Sequence, residues 1–206
     1  MTPAQLDLRI RQMHSSLSGM ATADLSTVVV RQGVDAQGRF YSGVDFSDGV
    51  PDTQAMNMAE KLIENIARIK DHLRVWCTQN HQPFSGDAVI RGNRSVALVH
   101  DLWNTQKHAE LNRLPRSGVK PNLADVERSM RLTTGGSGPS TVMMTFDRSG
   151  KPVVASSGGG RGELVVDGDI VDEDGTRIGG LIDICTDAVI AWERALTEAG
   201  VAVPRE

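Results

Sequence analysis

Aromatic residues make up only 4% of this 206-residue chain, and cysteine occurs twice. Two cysteines cannot build a disulfide framework, so the composition fits a reducing compartment. Long apolar runs are missing too. The longest unbroken one is Ala188 to Trp192, whereas a membrane-spanning helix needs about 20 residues. No membrane partner is expected. No apolar core follows a basic patch near the start, so no secretory signal is read and the chain is assigned to the cytoplasm. Neither HExxH nor a clustered Cys/His spacing occurs. Neither a metal nor a cofactor is therefore expected.

What is present is unevenly spread. The net charge of −4 divides into −1 over 1–85, +3 over 86–131, +2 over 132–162 and −8 over 163–206. The basic middle includes Arg91, Arg94, Lys107, Arg113, Arg116, Lys120, Arg128 and Arg131, a composition that attracts phosphate or simply forms a solvated surface. Twelve of the 21 glycines fall between Gly135 and Gly180. Each glycine inside a helix costs about 1 kcal/mol relative to alanine, so this region is not expected to be helical.

The length fits a single domain over 1–206. Four amphipathic helices are predicted, at about 2–18, 53–80, 95–114 and 180–199. Thr2, Pro3 and Gln5 form a capping-box arrangement ahead of Leu6, Ile10, Met13 and Leu17. The second helix repeats apolar residues at helical spacing from Ala55 through Leu62, Ile66, Ile69 and Leu73 to Trp76. Pro115 stops the third, and Gly200 follows the fourth. Trp76, Trp103 and Trp192 fall one to a helix in the last three, which suggests a shared core. Hairpins are expected from 27–31 with 39–46 and from 141–146 with 151–155. Asp167-Gly168 reads as a tight turn between two short strands. The expected fold class is α+β: a four-helix bundle with an N-terminal β-hairpin and a Gly-rich β insertion, about 133–178, before the last helix.

Chemistry concentrates on the third helix, in His100-Asp101-Leu102-Trp103-Asn104-Thr105-Gln106-Lys107-His108. At about 100° per residue, His100, Asp101, Asn104, Lys107 and His108 share one stripe, opposite Leu98, Leu102 and Ala109. Three readings compete. The stripe is a structural polar seam, with Lys107 and His108 suiting a helix C-terminus; or it carries acid–base chemistry on a phosphodiester, with Arg94 or Lys107 stabilising charge; or it binds a metal. His100 and His108 lie about 12 Å apart along the axis, so they cannot chelate one ion together.

The Asp101 to His108 stretch, with Ala191-Trp192-Glu193-Arg194, resembles a loose group of uncharacterised bacterial proteins with an Asp-Leu-x-Asn-x-x-Lys-His centre and a terminal Trp-bearing helix. Those motifs cover about a tenth of the chain. More distantly, Arg94, Ser95 and His100 resemble the Arg-to-His motif of the HEPN superfamily. That resemblance implies a dimeric, metal-independent ribonuclease of a toxin or phage-defence system. Ser95 stands where that motif usually has Asn, Asp or His, and the β insertion is not part of the simple form.

Two lesser candidates remain. Ser156-Ser157-Gly158-Gly159-Gly160-Arg161-Gly162 reads as a flexible connector or as an anion nest with Arg161 assisting. The acids from Glu163 to Asp174 do not match an EF-hand loop and read as turn chemistry. Two functional readings therefore stand. One is a regulatory or interaction domain with a structural stripe. The other is a HEPN-like ribonuclease or nucleotide-binding domain using Arg94, His100 and His108, supported by Asp101, Asn104 and Lys107. Its expected partners are RNA or a nucleotide and a second copy of the chain.

Overall fold

A computed structural model describes residues 1–26, 28–34, 36–46, 52–107, 114–135, 138–148 and 151–203. Along the chain, helices α1 (Pro3–Ser18), α2 (Asp52–Gln79), α3 (Gly86–Gly92), α4 (Arg94–Lys107) and α5 (Leu181–Glu198) alternate with strands. The strands are β1 (Ala21–Thr22), β2 (Val29–Val34), β3 (Phe40–Asp45), β4 (Asn122–Thr133), β5 (Thr141–Phe146), β6 (Pro152–Ser157), β7 (Arg161–Val171) and β8 (Arg177–Gly180). The α+β class stands, but the four-helix bundle is replaced by five helices with one four-stranded and two two-stranded sheets among the described residues. In the four-stranded sheet β7 lies between β1 and β4, and β8 pairs with β7 further along.

Two compact units divide the chain. A helical unit comprises Met1–Met20, Asn57–Val126 and Asp167–Glu206, and a strand unit comprises Ala21–Met56 and Glu127–Val166. Local chemistry explains most of the helical elements. The Thr2 hydroxyl accepts from the Gln5 amide at 3.2 Å, and Gln5 Oε1 accepts from the Thr2 amide at 2.8 Å. This capping box starts α1, which buries Leu6, Ile10 and Met13. In α2 the repeat buries Leu62, Ile63, Ile66, Ile69 and Leu73 completely. Ser85 caps α3, and Asn93 Oδ1 accepts from the Val96 amide at 3.0 Å to start α4. That second cap starts α4 close to the expected start at about residue 95, while α3 before it is an additional helix.

The strand unit rests on two antiparallel hairpins. β2 pairs with β3, so that Val34 faces Phe40 across the turn, and β5 pairs with β6. Gly38 in the first turn has φ 78°, a left-handed conformation that suits glycine.

Three expectations need correcting. Asp167-Gly168 is not a turn but lies inside the continuous strand β7. A Cβ at Gly168 would come within 2.9 Å of the Val126 side chain and 3.0 Å of the Ala124 carbonyl oxygen. Glycine is needed there for close strand approach rather than for a turn. The tryptophans are not equally buried: Trp192 is out of solvent, while Trp76 and Trp103 are half-buried. Finally, β4 was not foreseen, because Asp125, Glu127, Arg128 and Arg131 break the apolar alternation that marks a strand. No helix among the described residues is long and apolar enough to cross a membrane.

Candidate functional site

α4 does not present one apolar and one polar face. Seven consecutive residues from Val96 to Leu102 are buried, His100 and Asp101 among them. A helix enclosed all round needs partners for every polar group it carries. His100, only 2% exposed, finds them on three elements. Asn104 Nδ2 lies 2.8 Å from Nδ1, and Lys70 Nζ, from α2, lies 3.2 Å from Nε2. Arg116 Nη1 is 3.2 Å from Nδ1 and 3.3 Å from Nε2. Such near-equal distances place the guanidinium over the ring face, because one donor cannot lie in the ring plane within reach of both nitrogens.

The donors outnumber the acceptors. A neutral imidazole offers one acceptor nitrogen, and Lys70 and the Asn104 amide NH2 would both donate to it. Turning over the Asn104 amide resolves this: its oxygen accepts from Nδ1–H, and Nε2 accepts from Lys70. Burial holds the Lys70 ammonium below the ordinary lysine range. Nearby Asp71 opposes that effect, Arg116 adds to it, and Asp87 opposes it again. Arg116 is anchored in turn by Asp87 of α3, Nη2 to Oδ1 at 2.9 Å.

Asp101 serves the loop that follows. Its Oδ2 accepts from the Ser117 amide at 2.7 Å and lies 2.8 Å from the Ser117 hydroxyl. That hydroxyl also lies 2.9 Å from the Val119 carbonyl oxygen, so one proton serves two acceptors. The carboxylate thus fixes the turn that carries Arg116 over the ring.

The remaining predicted residues part company. Lys107 stands 4.0 Å from the centre of the Trp103 ring, a cation–π contact. Both line an open cleft of about 280 Å³ with Glu60, Lys61 and Glu64 of α2. Trp103 meets His100 edge-on, with ring centres 6.0 Å apart. Arg94 is exposed at the first position of α4. Six residues from His100, it falls about 120° round the helix. His100 and Asn104 are therefore brought together, while Arg94 stays apart from them, and His108 lies outside the described residues. Arg161 opens β7, where it is exposed and pairs with Glu163 at 3.4 Å. The Gly158 and Gly159 positions before it, at φ 60° and 82°, form the turn from β6 to β7.

The acidic segment is occupied by structure. Asp167 Oδ1 accepts from the Ile182 amide at 3.1 Å, in the first turn of α5. Asp169 holds Arg177 at 2.8 Å, and Asp172 accepts from the Asp174 and Thr176 amides. Among the described residues, no group of three or more His, Cys, Asp or Glu side chains is placed to hold a metal. Cys77 and Cys185 are buried free thiols, and burial raises the pKa of each. That disfavours the thiolate a nucleophile requires.

Lys70 was the signal missed in the sequence. On α2 it falls in line with Ile66 and Leu73, inside the apolar stripe, where a cation implies a buried partner. The chain matches no protein-family model, no curated protein and no solved structure.

Proposed function

We propose that the chain is a cytoplasmic regulatory or interaction domain, with the polar stripe of α4 serving as a structural node. One observation carries this reading: His100 is 2% exposed, with both ring nitrogens and a ring face in contact with protein groups. General acid–base catalysis requires a reacting group within hydrogen-bond reach of a ring nitrogen, and Lys70 and Asn104 occupy those directions. The two free thiols suit a reducing compartment. Exposed apolar side chains support interaction: Val34 and Phe40, a cross-strand pair, are 65% and 70% exposed. A second copy of the chain is the partner assigned to that surface.

The competing reading is a HEPN-like ribonuclease or a nucleotide-binding domain. Both are separated by incubating RNA with the wild type, His100→Ala and Arg94→Ala. The structural reading expects equal background cleavage by all three and a lowered unfolding temperature for His100→Ala alone. Cleavage by the wild type that both substitutions abolish would overturn it. Light scattering during size-exclusion chromatography checks the homodimer, with Phe40→Ser expected to give a monomer.

A further inference from the structure

We infer that the groove between α1 and α2 is a binding site for a small tetrahedral oxyanion of the phosphate class. Arg9 and Gln12 of α1 face Lys61, Asn65, Arg68 and His72 of α2 around a cavity of about 70 Å³. The α2 residues recur at spacings of four, three and four, so they form one stripe along the helix. The α1 pair is spaced three apart and lies on one face likewise. Every one of the six side chains can donate a hydrogen bond, and none is a carboxylate. A cavity of about 70 Å³ is several times the ~10–15 Å³ that holds one water, so it has room for a small ion.

Charge around the groove is not balanced. Glu64 binds Lys61 and Arg68, each at 2.8 Å. Arg9, half-buried, donates only to the neutral Gln12 Oε1, at 2.8 Å, among the described residues. Glu64, and at the His72 end Asp71, thus stand against Arg9, Lys61 and Arg68, and Asp71 is itself shared with Lys70 and Arg74. His72, at the end of the stripe, makes no hydrogen bond among the described residues. Its pKa is lowered by burial first, then by Arg9 and Arg68, with Asp71 in opposition. An anion in the groove would accept from Arg9 and Arg68 together and relieve that repulsion. The reading is independent of the role assigned to α4, since no residue of the His100 cluster lines this groove.

The test is a titration of the intact chain with inorganic phosphate at constant ionic strength, followed through the His72 ring resonances by NMR. Saturable shifts of His72 are expected. Arg9→Gln and Arg68→Gln, each with an unchanged unfolding temperature in phosphate-free buffer, should each weaken binding about tenfold. Lys151→Gln, in the strand unit, should leave binding unchanged. Parallel titrations with glycerol 3-phosphate separate the sources: equal or tighter binding indicates a phosphomonoester, weaker binding the free ion. His72 resonances that stay still up to about 10 mM of either probe would overturn the proposal. So would equal shifts in the wild type and in a variant that carries both Arg9→Gln and Arg68→Gln.

Discussion

The helical and strand units bury their side chains by different means. The four described histidines, all three tryptophans and both cysteines lie in the helical unit. There Leu6, Ile10, Leu62, Ile66, Leu98 and Trp192 are out of solvent, as is the His100 imidazole. Among the described residues of the strand unit the buried apolar ones are few: Val28, Ala55, Leu164, Val165 and Val166. Val34, Phe40, Leu132, Met143, Phe146 and Val153 remain exposed there. The strand unit is held chiefly by ladder hydrogen bonds and tight turns, and a two-stranded hairpin is marginal without a covered face. Cohesion in one unit comes from burial. In the other it comes from backbone pairing, which leaves large side chains available to a partner.

The sharpest way to break this contrast is to hollow the helical core. Trp192→Ala should cost about 3–5 kcal/mol in a urea titration, as a large buried aromatic is removed. A loss below about 1 kcal/mol would mean that the helical unit is not built around that core. A smaller effect tests the polar node. Asp101→Ala strands the Ser117 amide and releases the turn that places Arg116, at an expected cost of about 1–3 kcal/mol. Fluorescence of Trp103, which meets His100 edge-on, should shift with it.

Acid offers a subtler probe of the same unit. Burial, then Arg9 and Arg68, hold the folded pKa of His72 below its ordinary value of about 6.5. The unfolded chain therefore takes up this proton more readily, so stability rises with pH through that window and falls on acidification. His72→Gln should flatten the slope of unfolding temperature against pH just below 6.5; an unchanged slope would assign it to other groups. The smallest effect is expected in the strand unit. Phe40→Ser should change monomer stability by no more than about 0.5 kcal/mol in denaturant titrations. A larger loss would show that Phe40 belongs to a core after all.

Much of this architecture was legible along the chain where a local signal existed. Thr2, Pro3 and Gln5 announced the start of α1, and the apolar repeat from Ala55 to Leu73 announced α2. Both hairpins were visible from strand propensity flanking turn residues. Where several distant segments decide one outcome, local reading failed. Gly168 reads as a turn residue until Val126 is known to pack against it. The charges of β4 hide its strand, because pairing with β7 supplies what the missing alternation does not. In the candidate site, the stripe from His100 to Lys107 was visible. The lysine and the arginine that hold the ring are 30 and 16 residues away from it in the chain.

The sequence by itself determined where helices and hairpins form, since caps, turns and periodicity act over a few residues. Only the tertiary structure decided that α4 is buried all round from Val96 to Leu102 and that β7 runs unbroken through the sheet. It likewise decided that His100 meets Lys70 and Arg116 rather than Arg94. The physical reason is the cost of burying a polar group: whether an imidazole is held or left available depends on donors and acceptors that only folding brings to it.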